Sequence, residues 1–287
     1  SSLSEIWTAY AKQRASGKSP FEAAVRVAVH ADRIGQAFAV GYPAALERLV
    51  PGAPLPCALC ATEVNGNSPR AIETTLTEEA DGYRLDGTKT FVTFGSLAKS
   101  LIIVARAGVK PDGRPDIVVA QIPAERDGAM IEELPPTPFV PEIRHARIRL
   151  DAVSVLRGER LPGDGYIRYV KPFRTIEDIH VIGATLGYLI GLARRTDGGG
   201  ALVADVAAQL VALEHLLDGP PLDPRAHVAL HGVHCRVNAL VATDGFKRLL
   251  QSAPGDERER WERDKALLDV ASKAREARFE RAKQALG

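Results

Sequence analysis

The chain is 287 residues long and carries 37 Lys and Arg against 36 Asp and Glu, a formal net charge of +1. That balance excludes the strong basic excess that nucleic-acid binding requires, and 45% hydrophobic with 25% charged residues excludes general disorder. The length suits about two domains at ~150 residues each, three cysteines cannot complete a disulfide framework, and the absence of an apolar run of ~18 residues predicts no membrane span.

The opening Ser1-Ser2-Leu3-Ser4-Glu5 lacks the basic-then-apolar pattern of a leader. With cysteine usage that fits a reduced compartment, the expectation is a soluble cytoplasmic protein. Ser19 can cap a helix whose first turn holds Pro20, and Phe21, Ala24, Val25, Ala28 and Val29 recur at helical spacing. Three prolines within residues 50–56 stop helix there. Residues 70–156 change period. Ala71 to Thr77, Leu101 to Val104, Ile117 to Ala120, and the alternating Ile143, Ala146, Ile148 and Leu150 read as strands, and Asp86-Gly87 reads as a tight hairpin turn. Helical patterns return over Ile176 to Arg195 (ended by Gly198-Gly199-Gly200), Ala201 to Leu217, Arg225 to Leu250, and Asp256 to Leu286. The last interleaves basic and acidic residues, as a solvated face does. The predicted organisation is a short helical segment over 1–52, a β-domain over 53–160 and a helical domain over 161–287.

Three segments in this order resemble the acyl-CoA dehydrogenase family. Thr62-Glu63-Val64-Asn65-Gly66-Asn67-Ser68 is similar to its Thr-Glu, small-residue loop and Ser. Gly82-Tyr83-Arg84-Leu85-Asp86-Gly87-Thr88-Lys89-Thr90-Phe91-Val92-Thr93-Phe94-Gly95 is similar to its Gly-x-x-Leu-Asn-Gly-x-Lys-x-(Trp/Phe)-Ile-Thr-Asn-Gly segment and is the most specific of the three. Gly183 to Leu192 matches an apolar, glycine-rich helix following an acidic pair. The resemblance implies an α+β fold in which a central antiparallel β-barrel or sandwich lies between a reduced N-terminal helical segment and a C-terminal helix bundle. It implies FAD between the β-domain and the C-terminal helices. Thr62 and Thr93 would meet the polar edge of the flavin and Phe91 would cover its ring. Ser68 would touch the cofactor phosphate or the CoA end of an acyl-CoA or related thioester. It also implies an electron-transfer acceptor and a homodimer or homotetramer.

The α-proton of such a thioester needs a carboxylate base. Where the family places one near the C-terminus, after an Arg-Asp pair, this chain has Arg263-Asp264 followed by Ser272, and a serine cannot do that work. Some members place the base on the first helix of the C-terminal domain. Counting back ten residues from Gly187 gives Glu177, with Asp178 beside it. The other reading of this pair is two acids in the first turn of a helix, complementing its dipole. The family's Arg-x-x-Phe-Gly segment is replaced by Arg195-Thr196-Asp197-Gly198-Gly199, and its Gly-Gly-x-Gly by Thr243-Asp244-Gly245-Phe246. These losses keep a second expectation open, a non-catalytic subunit of the same fold. A third is a flavin monooxygenase or oxidase. His227, His231, His234 and Cys235 share one predicted helix, and Cys57 and Cys60 form a lone pair; neither pattern is read as a metal site.

Overall fold

The computed structural model describes residues 2–196 and 200–287. It divides into two compact units, one of residues 1–48, 138–142 and 174–287 and the other of 49–137 and 143–173.

The first unit is helical. Helix α1 (Leu3–Ala15) starts with a capping box, in which Ser2 Oγ accepts from the Glu5 N–H and the Glu5 carboxylate accepts from the Ser2 N–H. Helix α2 (Pro20–Ala28) begins as predicted, with Ser19 Oγ accepting the Glu22 N–H at 3.1 Å. Helix α3 (Ile34–Leu49), like α1, falls within the helical segment expected over 1–52, although its own bounds were not predicted. Pro43 sits within it and cannot donate to the Ala39 carbonyl. The Trp7 indole N–H fills that vacancy at 2.8 Å, so α1 is fastened to α3 at the position the proline leaves open.

Helix α4 (Lys171–Arg195) follows a π-type turn over Tyr166–Val170. The stretch Tyr166–Arg195 is long and apolar enough to cross a bilayer, but 83% of its apolar window is buried inside the protein, as in a core helix. The glycines of the third resembling segment explain its packing. A Cβ on Gly183 would lie 2.3 Å from the Phe21 ring, one on Gly187 2.5 Å from the Val25 carbonyl and one on Gly191 1.9 Å from the Val29 carbonyl. Spaced four apart, the three form a groove that admits the backbone of α2. Arg195 closes the groove by donating to the Val29 and Ala31 carbonyls and to the buried carboxylate of Glu257. Gly191→Val is therefore expected to lower helical-unit stability by roughly 3 kcal/mol or more, since backbone on both sides must move. A urea midpoint within error of wild type would refute this close approach.

The rest of the unit comprises α5 (Gly200–Leu216), α6 (Pro224–Ala242), α7 (Asp244–Gln251), α8 (Glu257–Asp264) and α9 (Ser272–Leu286). Two predicted helices are each broken in two. Thr243 ends α6 and caps α7, its Oγ1 accepting the Phe246 N–H, so Arg225 to Leu250 is not continuous. Asp256 to Leu286 breaks over a 3-10 turn (Lys265–Asp269) and Ala271 at φ +64°. Phe246 of α7 and Trp261 of α8 are buried against each other, and Trp261 also stacks with Tyr188. Gly198 and Gly199 of the predicted glycine stop lie outside the described residues.

The second unit is a seven-stranded sheet: β1 (Cys57–Cys60), β2 (Thr75–Glu79), β3 (Gly82–Thr93), β4 (Ser100–Val109), β5 (Pro115–Pro123), β6 (Ala129–Glu133) and β7 (His145–Leu156). The order is β1-β4-β2-β3-β7-β6, with β5 on the other side of β4. Most ladders are antiparallel; β1–β4 and β2–β4 are parallel. Its core gathers Leu85, Val92, Leu101, Ile103, Val118 and Ile148.

Asp86-Gly87 is not the hairpin turn. The chain reverses at Ala80-Asp81, where Glu79 pairs with Gly82, and Asp86-Gly87 lies inside β3 at a bulge. Gly87 has φ +149°, and a Cβ there would lie 2.7 Å from Thr74 Cα. Asp86 Oδ1 accepts the N–H of Ala152, itself at φ +50°, and so pins the bulge to β7. A dipeptide suited to positive φ makes a bulge where its neighbours in space demand one.

Candidate functional site

The residues after β1 are tied to β3. The Thr62 carbonyl accepts the Thr90 N–H at 2.9 Å. Glu63 is buried and accepts three hydrogen bonds: from Lys89 Nζ at 2.6 Å, from the Glu73 N–H at 2.8 Å and from the Thr74 N–H at 3.1 Å. Lys89 is 0% exposed. Burial draws its ammonium below the usual lysine range against the opposing pull of Glu63. Burial resists ionisation of Glu63 too, yet Lys89 and the two amides hold its carboxyl below the usual range. Neither residue of this buried pair was singled out from sequence, although both stand within the resembling segments. The signal was a Glu beside Thr62 and a Lys two before Phe91.

A bulge just beyond Lys89 sets the orientation of Phe91. In a regular strand Lys89 and Phe91 would share a face. Here Lys89 pairs with Ile148 and Val92 with Ala146, so β3 carries one extra residue. The bulge sends Lys89 and Val92 inward and leaves Phe91 61% exposed, at φ +51°. Positive φ on an aromatic residue is strained backbone, retained where surroundings over-determine it. The ring leans on His145 at 5.4 Å between centroids, and burial lowers the pKa of that histidine, keeping it neutral at pH 7. Thr93 pairs with His145, and both Thr93 and Thr62 are half-buried. Phe91 and Thr93 thus lie two residues apart on β3, and the backbone of Thr62 is tied to the same strand at Thr90, beside an exposed aromatic ring. Such an arrangement fits a planar ring with a polar edge.

Ser68 stands elsewhere in the unit, on the rim of a cleft of about 420 Å³. Arg70, Lys110, Arg114 and Lys171 supply its positive charge, Lys110 being paired with Asp164, and Tyr166 and Ile167 supply an apolar wall. The four cations were not anticipated, because they come from three separate parts of the chain: a 3-10 turn, the β4–β5 connection and the start of α4.

Glu177 belongs to the helical unit. It lies well inside α4, whose first turn holds no acid, so the helix-dipole account of Glu177-Asp178 does not hold. The two acids have opposite surroundings. Asp178 is clamped by Arg275 and Arg278 of α9. Glu177 meets Arg174 Nη1 at 3.4 Å, and its side chain is 16% exposed. Desolvation, aided by the charge of Asp178, lifts its carboxyl to about 7. A pair of carboxylates with such divergent settings is the usual mark of a divided role.

The alternative C-terminal position is structural. Asp264 is 0% exposed and accepts the Val140 N–H at 2.7 Å and two bonds from Arg263, while Ser272 opens α9. The histidines of α6 diverge: His227 meets Thr175 and the Pro221 carbonyl, His234 the Leu268 carbonyl, and His231 turns to Cys235.

No family model and no curated protein matches the sequence. Solved structures do match the fold. FkbI, named for biosynthesis of a methoxymalonyl extender unit of a polyketide, is 19% identical, with 92% of this chain and 84% of that one covered at a TM-score of 0.65. Butyryl-CoA dehydrogenase from Megasphaera elsdenii is 17% identical over 93% and 81%, also at 0.65. TdsC from a Paenibacillus strain, solved with FMN and indole, is 16% identical over 85% and 77%, again at 0.65. The fold is that of the acyl-CoA dehydrogenase-like flavoproteins.

Proposed function

We propose that the chain is an FAD-dependent oxidoreductase that removes hydrogen from the α and β carbons of an acyl-CoA or related thioester. The observation that carries this is Phe91, an aromatic side chain held outward on strained backbone, on the strand that carries Thr93 and to which Thr62 is tied. Phe91 would lie against the flavin ring, the threonines would hold its polar edge, and Ser68 with the basic cleft would take the phosphate end of the cofactor or of CoA. FAD, when bound, supplies a hydride acceptor for the β carbon.

The chain's own contribution to the chemistry is Glu177. A general base works best with a pKa near the working pH, and about 7 is where burial puts this carboxyl. Glu177 takes the α-proton; Asp178, clamped by Arg275 and Arg278, is not the base. An electron-transfer protein is the proposed acceptor, in keeping with the fold match to an electron transferring flavoprotein of Acidaminococcus fermentans. A homodimer or homotetramer in the cytoplasm completes the reading. A flavin oxidase or monooxygenase is the second reading, favoured by the FMN and indole named with TdsC and by the FAD and proline named with PigA.

The test is reconstitution with FAD and anaerobic titration with acyl-CoAs of varied length. A flavin band at about 450 nm that bleaches on thioester addition is expected. Failure to retain flavin overturns the proposal, and oxygen uptake with a substrate other than a thioester selects the second reading. Phe91→Gly separates binding from folding. Glycine accepts φ +51° without strain, so the variant is expected to unfold at or above the wild-type urea concentration while binding FAD roughly tenfold more weakly. Unchanged FAD affinity would remove Phe91 from the site.

A further inference from the structure

Three cysteines occupy two opposite settings. Cys57 and Cys60 are buried in β1, and burial pushes the Cys60 thiol up to about 12. Cys235 is exposed on α6. Its Sγ lies 3.3 Å from Nε2 of His231, one helical turn earlier. The His231 ring is stacked on Phe279 of α9, with centroids 3.8 Å apart and planes 6° from parallel. Its other nitrogen, Nδ1, lies 3.6 Å from the carboxylate of Glu276, also on α9. The three groups form a line of thiol, imidazole and carboxylate, across the seam where α6 packs on α9.

This order is that of an activated nucleophile: a base within reach of the thiol, and an acid that orients the base. A metal site does not explain it. Glu276 stands on the Nδ1 side of the ring and Cys235 on the Nε2 side, so the two cannot close on one ion together with His231. A solvated helix face does not explain it either, because the His231 ring lies flat on Phe279 with Nε2 on the thiol and Nδ1 facing the Glu276 carboxylate.

We propose that Cys235 is a reversible thiol-exchange site for low-molecular-weight disulfides, with His231 as its base and Glu276 as the residue that positions His231. The Cys235 proton passes to His231 Nε2, and the thiolate attacks one sulfur of an incoming disulfide. The new S–S bond joins Cys235 to that sulfur as the original S–S bond breaks. The leaving thiolate takes the proton back from His231. Cys235 is oxidised to the mixed-disulfide level, the departing half of the reagent is reduced to a thiol, and a second thiol reverses the exchange.

The test uses the full native chain with oxidised glutathione and with Ellman's disulfide, following thiolate release and the mass of each cysteine peptide. One fast equivalent, on Cys235, is expected, and it reacts on the order of tenfold faster than the same cysteine in the urea-unfolded chain. His231→Phe preserves stacking on Phe279 and is expected to remove that advantage, as is His231→Gln. Glu276→Gln is expected to slow exchange several-fold and Glu276→Asp to restore it, a rescue that packing alone would not give. Native Cys235 reacting no faster than unfolded Cys235, an unchanged rate in both His231 variants, or first labelling at Cys57 or Cys60 would each overturn the assignment.

Discussion

Lys89→Met is expected to destabilise the β unit by about 3 kcal/mol, because it leaves the Glu63 carboxylate buried beside an apolar group. Glu63→Ala is expected to cost more, about 5 kcal/mol, by the same reasoning. That change strands a 0% exposed ammonium and also unties the Glu73 and Thr74 amides. The order of the two follows from what remains: in Lys89→Met the carboxylate keeps two backbone donors, whereas in Glu63→Ala the lysine keeps none from Glu63. A double variant, Lys89→Met with Glu63→Gln, is expected to recover part of the loss, since a neutral amide still meets a backbone donor and no charge is buried. Urea denaturation followed by a probe in the sheet measures all three. Equal midpoints for the single variants and wild type would mean that water reaches the pair. Glu63 also gives the unit an acid limb. Its carboxyl is held below the usual range in the fold, so its contribution is present at neutral pH and fades as pH falls through the folded value.

The same pair shows where sequence reading stops. The motif from Gly82 to Gly95 is local, and its residues are where a reader of the sequence would put them: Thr93 and Phe91 on one strand, near Thr62. What sequence does not show is that Phe91 faces outward. Alternation from Lys89 would have placed both on one face, and the bulge that separates them depends on register with β7, more than fifty residues away. Asp86-Gly87 failed for the same reason. Its conformational preference was read correctly and its location wrongly, because Thr74 and Ala152 decide between turn and bulge. The helix cap at Ser19-Pro20 succeeded because every partner lies within three residues. The breaks at Thr243 and Ala271 were missed because no proline stands at either and the residues on both sides of each form helix on their own. The cations of the Ser68 cleft are scattered from Arg70 to Lys171, and only the folded chain assembles them.

Glu177→Gln is the sharpest expected effect. Removing a general base typically lowers the chemical step by 10²–10⁴-fold, and the amide preserves the size of the side chain beside Arg174. The wild-type rate is expected to rise through pH of about 7, where the carboxyl loses its proton, and the variant's residual rate is expected to show no such limb. Stability is expected to move the opposite way. The folded state raises this carboxyl from an ordinary 4.5 to about 7, so the fold prefers the protonated form. The stabilisation is complete below pH 4.5, declines as pH rises, and is gone once pH has passed through the folded value. Glu177→Gln, neutral throughout, is therefore expected to match wild type at pH 4 and to exceed it by about 3 kcal/mol at pH 9, from the shift in its carboxyl. A loss of activity paired with a pH-independent stability difference would show that Glu177 sits in water rather than in a dry pocket. A gain in stability at high pH with activity intact would leave Glu177 buried for packing alone. Only the combined outcome, slower chemistry together with a firmer fold in base, identifies a carboxyl whose desolvation is held at the expense of stability for the sake of proton abstraction.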